Sequence, residues 1–274
     1  MRLHRGLAAL QLILVAVHLP ASEPGPVVVL GALDAETRPV VAALADREAV
    51  SVLGSACVAG QLAGRRTVVA STGVGKVNAA MTTALLIERF SPAAVVFTGV
   101  AGALDSSLQP GDVVVGERLI QHDLVNDTEQ GVVLRSVRNP RDGAENPIAL
   151  EPNPRLLGLA RQASSRAGLQ LEGIAGEPRP PRLSFGTIAT GDSFVGSRAR
   201  KHELRERTGA LAVEMEGAAV AQVCHQHGVP YLVVRGISDR AVGDAHTEAR
   251  RNLETAAGNA AAVALAVLRT LASE

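Results

Sequence analysis

Two acidic strand ends carry the chemistry that this chain can offer. The run LVVRGISD (232–239) is an apolar strand ending in a carboxylate, Asp239, and AVEMEGAA (212–219) closes another strand with Glu214 and Glu216 before opening a helix. In open α/β sheets ligands gather beyond the carboxyl ends of strands, so acids delivered there are placed for proton chemistry on a bound molecule. A single Asp after a strand is more often a helix cap or a loop acid. A second acidic strand end aimed at the same edge shifts the reading towards a site.

The elements that must position these acids follow from alternation along the chain. Short β-rich apolar runs (PVVVLGAL, RTVVAST, AAVVFTGV, DVVVGERLI, GTIAT, ALAVEME, YLVVRGIS) alternate with helical patterns (ETRPVVAALADRE, KVNAAMTTALLIERF, GAAVAQVCHQHG). This order predicts an α/β fold: one domain, residues 26–272, with a twisted, mixed and largely parallel central sheet flanked by helices. The Ala-rich stretch from Thr247 to Leu271 is expected to be a long closing helix. Residues 125–155, rich in Asn, Asp, Arg and Pro, break the rhythm and read as an excursion near the site. GEPRPPRL (176–183) reads as a surface loop.

Composition narrows the function. Lys plus Arg and Asp plus Glu both total 27, so no charge excess attracts nucleic acid or an acidic membrane. A hydrophobic content of 47% is ample for a sizeable core. A small molecule is the better partner. Residues 1–22 combine Arg2, His4 and Arg5 with the apolar run LAALQLILVAVHLPAS, the layout of a signal peptide or signal anchor. Export or membrane anchoring is therefore expected, and a start codon chosen too far upstream would instead leave a cytoplasmic protein. Cys57 and Cys224 allow one disulfide and exclude a disulfide framework.

Several familiar signatures fail on inspection. TGVGKVNAA (72–80) lacks both Walker spacing and the third glycine of a dinucleotide fingerprint, so it reads as a tight strand-to-helix turn. His225 and His227 lie two apart on a predicted helix, where their side chains diverge and do not share a metal. Ser193 has no nucleophile-elbow context and neither cysteine has a catalytic setting.

GALDAE (31–36), TGVGKVNAA, FTGVAGALDSSLQPGDVVV (97–115), ATGDSFV (189–195), AVEMEGAAVAQVC (212–224) and VVRGISD (233–239) follow one another in a family order. Over roughly residues 27–270 the chain resembles the nucleoside phosphorylase and nucleosidase superfamily, and within it the methylthioadenosine/S-adenosylhomocysteine nucleosidases. The resemblance implies hydrolysis of a purine ribosyl bond, a homodimer, and no metal or organic cofactor. It makes Asp239 the general acid at purine N7, which burial would keep protonated. Glu36 resembles the base that activates water, and Arg235 the residue that holds that water and keeps Glu36 ionised. Glu216 resembles the acceptor for the ribose hydroxyls, with Met215 against the sugar and Ala101 and Gly102 nearby. Phe194 resembles the aromatic that stacks on adenine, Val195 the backbone that reads its edge, and Leu33 and Val74 the lining of the 5′ pocket. Glu214 is left without a role.

Departures from the pattern keep alternatives open. Val100 stands where these nucleosidases often carry a serine, at a cost of about 0.5–1.5 kcal/mol for one hydrogen bond. Arg135, Arg138 and Arg141 of the excursion would suit a larger or acidic 5′ group, as in a futalosine-type hydrolase. A purine nucleoside phosphorylase is disfavoured by Phe97, at a position where a phosphate-binding arginine is expected, and by the acids of GALDAE. A non-catalytic nucleoside-binding protein would have no use for both a proton donor and a water-side base.

Overall fold

A computed structural model describes residues 25–272 apart from residue 53 and residues 166–168. The leader read at residues 1–22 lies outside them. In chain order the elements begin with β1 (Val27–Gly31), α1 (Asp34–Ala43), β2 (Ala45–Val52), β3 (Ser55–Leu62), β4 (Arg65–Ser71), α2 (Lys76–Phe90), β5 (Ala94–Ala103) and β6 (Val113–Gln121). They continue with β7 (Val125–Thr128), β8 (Gly131–Leu134), β9 (Ala149–Leu150), α3 (Pro154–Ser165), β10 (Leu183–Thr190), α4 (Arg198–Thr208), β11 (Ala212–Glu214), α5 (Gly217–His227), β12 (Tyr231–Asp239) and α6 (Ala245–Ala272).

The central strands are apolar throughout because both of their faces are covered. Along β1, Val28 and Leu30 face the layer that holds α2 and α5, while Val27 and Val29 face the layer of α1, α3 and α6. Val95 and Phe97 alternate with Ala94 and Val96 on β5 in the same way, and Tyr231 and Val233 with Leu232 and Val234 on β12. The result is a three-layer α/β/α domain, as expected. α6 lies directly on β12: a Cβ added to Gly236 would come 1.9 Å from the Ala256 carbonyl oxygen, so only glycine permits this approach.

The sheet runs β11-β10-β6-β12-β5-β1-β4-β3-β2, with β9 beside β6. β11 also pairs antiparallel with β5, Ala212 opposite Ala103 and Val213 opposite Gly102. That second pairing closes β5, β12, β6, β10 and β11 into a ring, a feature the alternation of elements did not announce. It brings the ends of β5, β11 and β12 around a common space.

Other expectations are corrected here. The first helix stops at Ala43, and ADREAVSV forms β2 against β3. Its mostly exposed charged residues suit a sheet edge, where they discourage pairing with another chain. The excursion at 125–155 contains the β7–β8 hairpin and β9, and its residues are absent from the wall of the site described below. Cys57 and Cys224 are both free and buried, so they form no disulfide with each other.

Candidate active site

Glu36 lies in the first turn of α1, immediately beyond β1, and is almost fully buried. Its Oε2 accepts the amides of Ala32 at 2.6 Å and Leu33 at 2.9 Å, and its Oε1 accepts the Val100 amide at 2.8 Å. Three backbone donors fix this carboxylate and favour its charged form. Burial works the other way and dominates, holding the Glu36 pKa above the ordinary carboxylate value. The Val100 contact comes from the backbone, so a valine side chain at this position preserves it.

Arg235, in the middle of β12, is completely buried with its guanidinium 4.2 Å from the centre of the Phe97 ring. It pairs with Glu214, lies 3.3 Å from Glu216 Oε2 and stands 3.9 Å from Glu36 Oε1. One guanidinium faces three buried carboxylates, too little positive charge for all of them. Burial and this crowding raise the Glu216 pKa, against the opposing pull of Arg235. A Cβ on Gly99 would fall 1.8 Å from Arg235 Nη1 and 2.7 Å from Glu36 Oε1, so the glycine after Thr98 leaves room for the pair. Arg235 is not part of the cavity wall. It stands behind the carboxylates, and its Nη1 and Nε have no hydrogen-bond partner among the described residues.

Glu214, without a role in the sequence reading, has one here. It accepts the amides of Glu216 and Gly217 at 3.1 and 2.7 Å, closing the N-terminus of α5, and also the Thr190 hydroxyl. Glu216 Oε1 in turn accepts the Gly75 amide at 2.8 Å, while the Lys76 amide donates to Asp192 at 2.8 Å. The glycine turn TGVGK thus spends these amides on the protein's own carboxylates, a physical reason why it is not a phosphate cradle. It links α2 to the GDSF and VEMEG segments.

Asp239 ends β12 at an irregularity, Ile237 opposite Ala101 and Asp239 opposite Gly102, with Ser238 as the extra residue. Such a bulge re-aims side chains, and here both Ser238 and Asp239 reach the cavity. Asp239 Oδ1 accepts the Ala241 amide at 2.8 Å and Oδ2 the Ser238 hydroxyl at 2.9 Å. Burial outweighs these bonds and raises its pKa above the ordinary value.

These groups share one cavity of about 290 Å³, a small-molecule size. Its wall contains Glu36, Glu216 and Asp239 together with Leu33, Val74, Ala101, Gly102, Phe194, Val195 and Met215. Every residue that the family resemblance placed in the site, except Arg235, lines it. The sequence reading missed His246, Ala249, Arg250 and Leu253, all from the start of α6. Their spacing of three, four and seven marks one helix face and was available as a signal. His246 lies 5.2 Å from Phe194, ring centre to ring centre. Arg135, Arg138 and Arg141 do not reach this cavity; Arg141 is 4.0 Å from Glu88, and Arg135 lines a separate small crevice.

The family model of the phosphorylase superfamily matches residues 26–269. The 5′-methylthioadenosine/S-adenosylhomocysteine nucleosidase of Shewanella halifaxensis is 34% identical over 89% of this chain and 98% of its own. The solved structure of the nucleosidase of that name from Neisseria meningitidis, in complex with methylthio-immucillin-A, is similar with a TM-score of 0.77 and 34% identity. It covers 89% of this chain and 99% of that one. The native futalosine hydrolase of Helicobacter pylori gives a TM-score of 0.77 at 32% identity, covering 89% of this chain and 97% of its own.

Proposed function

Because the chain belongs to the phosphorylase superfamily, and within it to the 5′-methylthioadenosine/S-adenosylhomocysteine nucleosidases, we propose that it hydrolyses the N-glycosidic bond of 5′-thio-substituted adenine nucleosides. It is an N-glycosyl hydrolase that releases adenine. The observation that carries the roles is the meeting of two differently held carboxyls in one cavity. Asp239 is buried with two donors, and Glu36 is pinned by three amides.

In this reading Asp239 gives its proton to N7 as the bond between ribose C1′ and N9 breaks, and the electron pair of that bond goes to the purine. Glu36 takes a proton from the water that adds to C1′. The products are adenine and a 5-thio-substituted ribose. Glu216 accepts the ribose hydroxyls with Met215 beneath the sugar, Phe194 stacks on the base, and Val195 presents its backbone to the base edge. Ala101 and Gly102 border the sugar, and Leu33 and Val74 border the 5′ substituent. Arg235 tunes the glutamates from behind. Its charge faces three carboxylates, and the acids lining the cavity oppose an incoming phosphate, which favours water over phosphorolysis.

Two copies of the chain are proposed to associate through α2, whose Val77 and Met81 are 77% and 53% exposed beside the half-exposed Val74. Sedimentation at micromolar concentration should show a dimer that Met81→Glu weakens. The reaction is tested by incubating methylthioadenosine and S-adenosylhomocysteine with and without phosphate. Adenine release at equal rates in both, with a free sugar product, is expected; strict phosphate dependence with a sugar 1-phosphate would overturn hydrolysis.

A further inference from the structure

The mouth of the cavity carries a positive charge that cleavage of the glycosidic bond does not use. Arg250 lines the wall, is exposed, and has no hydrogen bond or ion pair among the described residues. The acids that could claim it are taken. Glu254, one turn further along α6, pairs with Arg38 at 3.0 Å, and Glu248 pairs with Arg240 and accepts its amide. Apart from the carboxylates, Ser193, Ser238, His246 and Arg250, the wall is apolar, with Leu33, Val74, Met215 and Leu253 among its residues. The cavity thus combines buried acids, a hydrocarbon belt and one exposed guanidinium.

We propose that Arg250 determines specificity, selecting nucleosides whose 5′ substituent crosses the apolar belt and ends in a carboxylate. This rests on the nucleosidase reading above, which puts base and ribose at the acids and the 5′ substituent beside Leu33 and Val74, in the cavity whose wall the start of α6 completes. A guanidinium presents a planar fork that matches a carboxylate in a two-bond geometry. The belt suits methylene or thioether carbons and leaves Arg250 to meet the charge at their end. The arginines of the 125–155 excursion, which the sequence put forward for an acidic substituent, are thereby replaced by one that reaches the cavity.

The test compares two substrates that differ in one end group: 5′-S-(3-carboxypropyl)thioadenosine and 5′-S-butylthioadenosine. The readout is the ratio of their kcat/KM values in the wild type, Arg250→Met and Arg250→Lys. The wild type is expected to favour the carboxylate, and Arg250→Met to lower the ratio roughly tenfold, the scale of one charge-assisted hydrogen bond. Arg250→Lys should restore part of it. S-Adenosylhomocysteine, whose 5′ chain also ends in a carboxylate, is run alongside: a matching loss in Arg250→Met supports the selection, and no loss there contradicts it. A ratio unchanged by Arg250→Met, with butylthioadenosine still cleaved, overturns this inference alone. Adenine release from none of the substrates overturns the nucleosidase reading and this inference with it.

Discussion

The floor and the mouth of the cavity are built on opposite terms. At the floor, Glu36, Glu214, Glu216, Arg235 and Asp239 are all buried, and backbone amides or the guanidinium fix every carboxylate. At the mouth, Phe194, Val74 and Leu33 are 49%, 47% and 36% exposed, and Arg250 is unpaired among the described residues. Charges that are costly to bury are held where bond breaking needs a fixed geometry, and adaptable side chains stand where substrates differ. Damage at the floor should therefore abolish turnover or folding, and damage at the mouth should change affinity and choice.

The largest effect expected from the floor short of the acid itself is that of Glu36→Gln. Removing the base should lower kcat by about 10²–10⁴-fold with little change in binding of a nucleoside analogue. Turnover within twofold of wild type would show that Glu36 is not the base. Glu214→Ala should break the floor as structure. It strands the guanidinium of Arg235, the Thr190 hydroxyl and two amides of the α5 N-terminus, at a cost of about 3–5 kcal/mol in unfolding free energy. Urea denaturation checks this, and an unchanged midpoint would contradict the bracing role. The smallest of these effects belongs to the mouth. Phe194→Ala should raise KM roughly threefold to tenfold through the loss of stacking and leave kcat nearly intact. A fall in kcat as large as that of Glu36→Gln would erase the distinction between the two regions.

What could be read from the chain follows the same division. Strands buried on both faces announce themselves as apolar runs, so β1, β4, β5, β6, β10 and β12 were legible, as were α2, α5 and α6. The acids at their ends were legible through the motifs of the family resemblance. α4, with the sequence RARKHELRERT, shows little apolar periodicity because only Leu204 and Thr208 are buried, and it was not foreseen. Nor was β2, an exposed edge strand. The pairing of β11 with β5, which gathers the site, is a long-range contact with no local signature. Arg235 was recognised by its place beside Asp239, but its position behind the wall depends on the side on which three glutamates approach it. The α6 face of His246, Ala249, Arg250 and Leu253 was hidden in a segment read only as a closing helix.

The central claim, that Asp239 supplies the proton while Glu36 handles water, is met most directly by the pH dependence of kcat in Asp239→Asn beside its binding of a nucleoside analogue. Burial raises the Asp239 pKa, so its carboxyl keeps the proton beyond the ordinary range, and wild-type rate should fall as pH rises through that raised value. The account predicts that Asp239→Asn loses about 10²–10⁴-fold in kcat. It also predicts that the variant loses this alkaline limb from its residual activity and still binds the analogue. A variant that keeps the limb, or loses binding and turnover in equal measure, would contradict it.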